Sequence, residues 1–371
     1  MSDSITRARL LHQRIARPRE KTPAELVRWM GAVQAQDYRS SLWAVGLRVS
    51  GATEADVEKA VADGTIVRTW PMRGTLHHVA AADVRWMLAL LTPRVIARSA
   101  GRYRELGLDD AAFKRSRRAL ERALRDGHPL TRAETYAAIE RAGISTAGQR
   151  GIHIVGHLAQ QGLLCYGPRR GHQPTFVLLD QWVPAAASSE VRRDEALARL
   201  AERYISSHGP ATLQDFAWWS GLLRKDAQAG IEAAGSRLAR ETIGGRTWWS
   251  AASRPLGRGS GHVAALLPPW DEYVVAYKER GAALGHLPRD EARVRYAVGK
   301  PLIVVDGRVL GTWKRMLAAS RVRVSLDLWT RVTGAERRAV HDAAARYTRF
   351  LGGRLDPARE GARAPSRRSA A

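Results

Sequence analysis

Cysteine is nearly absent from this chain of 371 residues, and its scarcity excludes two kinds of stabilising site. A single cysteine, Cys165, can form neither a disulfide framework nor a zinc site built on cysteine ligands. It stands in the apolar run 163–166, where a free cysteine ordinarily behaves as a small hydrophobic side chain. We therefore expect Cys165 to be buried in a strand.

Long apolar runs are also missing. No segment approaches the roughly 18 consecutive apolar residues that a membrane-spanning helix needs. The segment Met1–Arg9 has no apolar stretch of the kind found in a secretion signal. We therefore expect a cytoplasmic protein that does not contact a membrane.

Lysine is scarce, and acidic residues are outnumbered by basic ones. The chain has 60 Lys and Arg residues, of which only 7 are lysine, against 36 Asp and Glu, and its formal net charge is +24. A coding bias toward arginine would explain the choice between the two basic residues, but it does not explain the excess of base over acid. So large an excess indicates a polyanionic partner, and nucleic acid is the obvious one.

A pattern of helices followed by a hairpin occurs three times along the chain. Each copy ends in two predicted strands, and the strand pairs are 66–70 with 75–79, 163–166 with 175–179, and 238–243 with 246–250. The second and third copies share Pro-x-Thr-x-x-acid, beginning at Pro129 and at Pro210, which is typical of a capped helix start. Helix, helix, hairpin is the element order of a winged helix. The sequence therefore predicts three such units in tandem.

The predicted domain boundaries follow from these repeats. The three units span 1–105, 106–187 and 188–255, and a Gly-, Arg- and Ser-rich linker leads to a smaller region, 262–355. In that region Asp306-Gly307 joins the clearest hairpin of the chain, with a dipeptide typical of a type I′ turn. Residues 356–371 are expected to be a disordered basic tail. The predicted fold class is α+β, with three tandem winged helices forming a C-shaped DNA-binding cleft beside a C-terminal α+β region rich in β-hairpins.

Two glutamines, Gln34 and Gln36, follow a predicted amphipathic helix. That helix begins at the capping-box pattern Thr22 to Glu25, with proline at the first helical position. On a helix, side chains two apart point about 200° away from each other, whereas on an extended segment they share a face. If both amides act on one target, the backbone must leave the helix near Ala35.

Four segments together resemble a known family. They are Gln34-Ala35-Gln36, Arg68 to His77 with the pattern Arg-x-x-x-x-Arg-Gly-Thr-Leu-His, Leu267 to Tyr273, and Asp306 to Arg315. In this order they are similar to segments of the AlkZ/YcaQ family of bacterial DNA glycosylases, and the resemblance covers the chain to about Leu351. It implies tandem winged helices and a catalytic Gln-x-Gln or Gln-x-Asp pair. This chain has the Gln-x-Gln form.

The chemistry of an amide limits what this pair can do. An amide has no group that titrates near neutral pH, so it cannot be a general base. It can orient a water and stabilise developing positive charge, which suffices when the leaving group is already good, as in an N7-alkylated guanine that carries a formal positive charge. The resemblance implies that Gln36 positions the water and that Gln34 assists or stabilises the oxocarbenium-like sugar.

The resemblance therefore implies a monofunctional DNA glycosylase that acts on bulky or cationic N7-alkylguanine. Its expected substrates include interstrand crosslinks, as for an enzyme that gives an antibiotic producer resistance to its own product. No lysine nucleophile is implied, so we expect an abasic site without strand cleavage, and no cofactor or metal. Double-stranded DNA carrying alkylated or crosslinked purines is the expected partner of a monomeric protein. The alternative is a non-catalytic winged-helix DNA-binding or regulatory protein.

Carboxylates near these segments are rival candidates. Asp37 adjoins the glutamine pair, and a carboxylate is the more usual activator of water. Asp271 and Glu272 are adjacent acids after two prolines. For this acidic pair we favour a helix cap or a structural salt bridge over catalysis.

Basic residues on three hairpins are candidates for DNA contact. The candidates are Arg68, Arg73 and His77 on the first hairpin, Arg169 and Arg170 in the second, and Lys314 and Arg315 at the end of the hairpin 302–313. For the first hairpin we favour contact with the DNA backbone or with the lesion pocket, and an internal ion pair is the alternative. His153 and His157, four apart on a predicted helix, have the spacing of metal ligands, but no third ligand accompanies them.

Overall fold

The computed structural model describes residues 2–183, 191–252, 261–284, 298–318 and 321–360. Its elements are of the predicted α+β class. The helices are α1 Ser2–His12, α2 Pro23–Met30, α3 Tyr38–Gly46, α4 Glu54–Ala62, α5 Val84–Glu105, α6 Asp110–Ala123, α7 Arg132–Arg141, α8 Arg150–Gln160, α9 Leu179–Trp182, α10 Arg193–His208, α11 Leu213–Ser220, α12 Arg224–Ala234, α13 Glu272–Val275, α14 Gly281–Leu284 and α15 Gly334–Phe350. The strands are β1 Val33–Gln34, β2 Ile66–Met72, β3 Thr75–Ala80, β4 Leu130–Thr131, β5 Leu164–Tyr166, β6 Thr175–Leu178, β7 Leu238–Ile243, β8 Arg246–Ala251, β9 Ala264–Leu267, β10 Leu302–Val305, β11 Arg308–Ala318, β12 Arg321–Leu328 and β13 Arg354–Glu360.

Capping boxes start the helices where the sequence predicts them. Thr22 and Thr131 each accept a hydrogen bond from the backbone N–H three residues on, and the Glu at that position accepts one in return. Thr212 begins α11 in the same way. Each cap satisfies N–H groups that a helix start leaves open, and a cap of this kind contributes about 1 kcal/mol.

The first two repeats share one sheet. Its strand order is β1-β3-β2-β5-β6-β4, so both hairpins lie side by side in six strands. The hairpins join where Arg68 of β2 pairs with Tyr166 of β5. The third repeat ends in its own two-stranded sheet, in which the predicted strands β7 and β8 are joined by Gly244 and Gly245. The assignment of the repeats to winged helices stays a prediction.

The C-terminal region is built on a second sheet, in the order β13-β12-β11-β10-β9. Asp306 and Gly307 have φ angles of 49° and 83°, as the predicted type I′ turn requires. Residues 354–360 form β13, which pairs with β12 in parallel. This differs from the predicted disordered tail, whose residues 361–371 lie outside the described part of the chain.

The hydrophobic clusters cross the predicted domain boundaries. One cluster combines α2, α3 and α4 with the C-terminal sheet and α15. Within it, the Trp43 indole donates to the Leu266 carbonyl at 2.6 Å, and its ring packs edge-on against Tyr347. A second cluster combines α5 with α10, α11 and α12 and contains Cys165, which is fully buried in β5 as predicted. Ala32 belongs to the second cluster and Val33 to the first, so the glutamine segment begins where the two cores meet.

Within the described ranges, no helix has the length and apolar character that a membrane crossing demands.

Candidate active site

The glutamine pair lies beyond the end of helix α2, with Gln34 in strand β1 and Gln36 at a bend two residues later. Helix α2 ends at Met30, and Gly31 caps it with a φ of 78°. The chain then enters β1, where Val33 and Gln34 pair with His78 and His77 of β3. Burial alternates along the segment: Gln34 is half-buried, Ala35 is fully buried and Gln36 is exposed. This alternation places both amides on the outward side of the segment.

Two contacts to β3 hold the exposed end of this segment. The Ala35 N–H donates to the Leu76 carbonyl at 2.7 Å. The side-chain oxygen of Gln36 accepts from the Leu76 N–H at 3.2 Å. The side-chain amide oxygen of Gln36 therefore has a defined position, and its second lone pair can accept a hydrogen bond from a water.

Arg68 holds the same segment from the other side. Its Nε and Nη2 atoms donate to the Ala35 backbone carbonyl at 3.0 and 2.9 Å. Nη2 also donates to the backbone carbonyl of Gln36 at 3.4 Å. The guanidinium lies over the Tyr166 ring, 4.5 Å from its centre. Burial lowers the pKa of Arg68 from its ordinary value, although a guanidinium remains charged.

Arg73 and His77 form a buried pair at the turn of the same hairpin. The His77 Nδ1–H donates to the Thr75 carbonyl at 3.0 Å, so Nε2 accepts from Arg73 Nη2 at 3.3 Å. Burial, reinforced by the charge of Arg73, lowers the pKa of His77 to about 4. The imidazole is therefore neutral at pH 7. Arg73 also donates to the Trp219 carbonyl of α11.

These contacts favour internal bonding for the first hairpin, whose contact with DNA or with the lesion pocket stays a prediction. His77 is fully buried, Arg68 is 7% exposed and Arg73 is half-buried. Their polar atoms bind backbone carbonyls and one another, because the third repeat packs onto the hairpin turn and the glutamine segment covers its outer strand. In this structure these three residues shape the site from within, and only Arg68 also lines the cavity beside it.

A cavity of about 420 Å³ opens beside Gln36, between the first two repeats. The aromatic rings of Tyr38, Trp70 and Tyr166 line it, together with Arg68, Arg132 and Arg169. Burial raises the pKa of Tyr38 to about 12, so its phenol is neutral. The cavity is therefore both aromatic and cationic, and its volume is within the range of small-molecule sites.

The two arginines of the second hairpin have different surroundings. The Arg169 guanidinium lies 4.7 Å from the centre of the Tyr38 ring, at the wall of the cavity. Arg170 is exposed, and it pairs with Glu134 at 2.8 Å and donates to the Pro129 carbonyl at 2.7 Å.

Lys314 and Arg315 follow the end of the β10–β11 hairpin, as predicted: the ladder ends at the pair Leu302 and Thr312. Strand β11 continues to Ala318 and pairs with β12 along that length. Because side chains alternate along a strand, the two residues face opposite ways. Arg315 donates to the Tyr347 hydroxyl at 2.8 Å on the α15 side, while Lys314 is exposed.

The candidate acids are engaged in helix caps and ion pairs. Asp37 caps α3 by accepting from the Ser40 N–H at 2.8 Å. Asp271 caps α13 and binds the buried Arg48 guanidinium at 2.7 and 2.9 Å, which confirms the expected cap and salt bridge.

Two further sequence features belong to the packing. His157 stacks on Phe113, with ring centres 3.8 Å apart, and no cluster of three or more His, Cys, Asp or Glu in the described ranges could hold a metal ion. The chain also has two pairs of adjacent tryptophans: Trp219 is fully buried and Trp218 is 41% exposed, whereas Trp248 and Trp249 are both half-buried.

Glu272 is the site residue whose contact sequence reasoning missed. Its carboxylate is fully buried and accepts from the Gln34 backbone N–H at 2.8 Å. The other oxygen accepts from the Trp219 indole N–H at 3.0 Å. The only sequence signal was an acid in the resembling segment Leu267 to Tyr273, and nothing in the sequence connects that segment with Gln34.

Comparison with known proteins agrees with the fold and the motifs. The family model for AlkZ-like DNA glycosylases matches residues 27–350. The interstrand DNA cross-link repair glycosylase of Streptomyces sahachiroi is 25% identical over 327 residues, which is 82% of this chain and 85% of that protein. The structure of the Streptomyces sahachiroi DNA glycosylase AlkZ has a TM-score of 0.77 at 24% identity, and the match covers 97% of this chain and 99% of that one. The structural likeness shows the fold, and the matched range contains the glutamine pair and the other three segments. The chain therefore belongs to the AlkZ-like DNA glycosylase family.

Proposed function

We propose that this protein is a monofunctional DNA glycosylase that hydrolyses the N-glycosidic bond of bulky or cationic N7-alkylguanine in double-stranded DNA. The supporting observation is that Gln34 in strand β1 and Gln36 two residues later belong to one short segment, and that Gln36 lines the cavity. Arg68 binds the carbonyl between them, and Leu76 holds the Gln36 amide. An oriented Gln36 amide, with no Asp or Glu among the described residues that line the cavity, suits a reaction whose leaving group needs no further activation.

The reaction assigned to this site is a hydrolysis. Gln36 orients a water toward the anomeric carbon, and the Gln34 carbonyl oxygen stabilises the positive charge that develops on the sugar. The water oxygen bonds to the anomeric carbon while the glycosidic bond breaks. The bonding electrons pass to the purine and neutralise its charge, and the water proton passes to solvent.

The chemistry of the cavity supports a monofunctional reaction. No lysine is among the described residues that line it, so no amine is in place to form a covalent imine with the sugar. The product is then an abasic site in an uncut strand.

The cavity also supports a bulky lesion. Its three arginines would repel the cationic purine itself, whereas its aromatic rings suit an apolar or planar group. We therefore assign the cavity to the substituent carried on N7. The Streptomyces sahachiroi relative is named for interstrand crosslink repair, and we propose crosslinked purines as substrates here as well.

The wider architecture is part of this proposal. Three winged-helix units forming a C-shaped cleft would hold one duplex, and a net charge of +24 would supply the long-range attraction. We propose a monomer that acts in the cytoplasm on chromosomal DNA.

Base release from a duplex carrying one N7-alkylguanine tests the function. We expect release by the wild type, and a loss of at least about tenfold in Gln36→Ala, or about 1.4 kcal/mol of transition-state stabilisation, at unchanged DNA affinity. Gln34→Ala is measured beside it. Strands analysed without heat or alkali should be uncut. Tight DNA binding without release from any N7 adduct, small or bulky, would instead indicate a non-catalytic DNA-binding protein.

A further inference from the structure

The backbone of Gln34 is held by a carboxylate from a distant part of the chain. Glu272 accepts from the Gln34 N–H at 2.8 Å, although the two residues are 238 positions apart. The neighbouring Ala35 N–H donates to β3 instead. Strand β1 is at the edge of its sheet, so the Gln34 N–H has no strand partner on that side. A buried N–H in this position needs an acceptor, and Glu272 is the acceptor.

The same carboxylate reaches two helices of the third repeat. Its second oxygen accepts from the Trp219 indole N–H of α11 at 3.0 Å. The Nε2 atom of His208, at the end of α10, lies 3.7 Å from that oxygen, which is within ion-pair range but too long for a hydrogen bond. Glu272 therefore joins the motif strand, the third repeat and the C-terminal region at one point.

The contacts are those of an ionised carboxylate. Both oxygens accept hydrogen bonds from N–H groups, which leaves no need for a proton on either. Burial by itself would raise the pKa of Glu272, but its neighbours, the charged Arg73 among them, lower it. The Glu272 carboxylate therefore keeps its negative charge at neutral pH.

Two groups of opposite charge therefore hold the glutamine segment. Arg68 binds the Ala35 carbonyl on one side, and Glu272 binds the Gln34 N–H on the other. Glu272 thus fixes the peptide before Gln34, Arg68 fixes the peptide after Ala35, and the N–H of the peptide between them donates to Leu76. The direction of the Gln34 side chain follows from the directions of the peptides on either side of it.

We propose that Glu272 is a positioning residue for base release, acting through the backbone of Gln34. This inference rests on the proposed function. Glu272 does not touch the DNA, because its side chain is fully buried. Its role is to hold Gln34 in the orientation that the transition state requires.

A double-mutant cycle tests this role. Single-turnover base release and DNA affinity are measured for the wild type, Glu272→Gln, Gln34→Ala and the double variant. An amide at 272 must present its NH₂ group either to the Gln34 N–H or to the Trp219 N–H, which are both donors. We expect Glu272→Gln to lose at least about tenfold in rate, with the dissociation constant within about twofold. In the Gln34→Ala background it should lose less than about twofold, since the Gln34 amide that Glu272 positions is no longer present.

Asp215 supplies the matched control. It is equally buried, caps α11 and accepts from the backbone N–H groups of Lys278 and Glu279. Its hydrogen-bond partners Thr212, Lys278 and Glu279 and its ion-pair partner Arg9 are not part of the glutamine segment. Asp215→Asn should lower the melting temperature and leave base release within about twofold when assayed below that temperature.

Three outcomes are distinguishable. A similar loss from Glu272→Gln in both backgrounds, or wild-type release by Glu272→Gln, would overturn the positioning role. If Glu272→Gln does not fold, Glu272→Met is used and judged by the same criteria, because an apolar group of similar size removes the buried charge. Absence of base release by the wild type would overturn the proposed function itself.

Discussion

Arg68 donates two hydrogen bonds to the carbonyl oxygen of Ala35, the residue between the two motif glutamines. A bidentate guanidinium is the side chain best suited to such a contact, because its donors are rigid and parallel. The Tyr166 ring beneath it restricts it further. Arg68, in the segment Arg68 to His77, thus holds the backbone of the segment Gln34-Ala35-Gln36.

Replacing Arg68 by lysine should therefore impair catalysis although the charge is retained. A single ammonium cannot reproduce two parallel bonds or the stacking on Tyr166. We expect base release to fall at least about tenfold, with a loss of about 1–3 kcal/mol in the free energy of unfolding as the buried carbonyl loses a donor. Single-turnover kinetics and urea unfolding measure the two effects. Arg85→Lys, which alters an arginine paired with Asp180 away from the motif, is the control and should leave the rate unchanged.

Tyr38 should distinguish large adducts from small ones. Its ring lines the cavity beside Gln36 and lies against Arg169. Tyr38→Ala should slow release of a guanine with a planar aromatic group on N7 by about tenfold, the loss of about 1–3 kcal/mol of stacking. Release of N7-methylguanine, which has no group to place there, should change by less than about twofold. Equal losses for both substrates would mean that the cavity does not hold the adduct.

Stability should decrease in acid because of two buried histidines. Burial first, and Arg73 second, lower the pKa of His77 to about 4; burial and Arg68 lower that of His78 to about 3. The folded state therefore binds fewer protons than the unfolded state, whose histidines titrate near pH 6.5.

It follows that the full stability is present above pH 6.5 and is lost as the pH falls through about 4. Each histidine contributes on the order of 3 kcal/mol to this loss. Urea unfolding at pH 7.5, 6 and 5 measures it, and His78→Asn should reduce the slope. Stability that does not change between pH 7.5 and 5 would contradict the buried neutral state.

Lys314 and Arg315 should respond differently to substitution. Lys314 is exposed on β11, whereas Arg315 is bonded to Tyr347. If Lys314 contacts a phosphate, Lys314→Ala should weaken DNA binding and reduce the slope of log K against log salt by about 1. Arg315→Ala should mainly lower the melting temperature. A salt slope that changes only in the Arg315 variant would reverse this assignment.

Local pattern was enough to determine most of the secondary structure. Although the chain leaves helix α2 at Met30, before the expected Ala35, the capping boxes at Thr22 and Thr131 and the Asp306-Gly307 turn are where the sequence predicts them. Each depends on residues a few positions apart, whose backbone preferences and hydrogen bonds can be evaluated without the rest of the chain.

The surroundings of the glutamines were decided only by the tertiary structure. Arg68 and Glu272 reach the same segment from 33 and 238 positions away. The basic residues of the first hairpin are candidates for DNA contact when only the sequence is considered. In the structure the third repeat packs on the hairpin turn, Arg73 bonds to the Trp219 carbonyl, and His77 is fully buried. Whether a charged side chain meets solvent, DNA or a buried carbonyl depends on which distant surface covers it. That choice is made by the packing of whole elements, and no short stretch of sequence contains it.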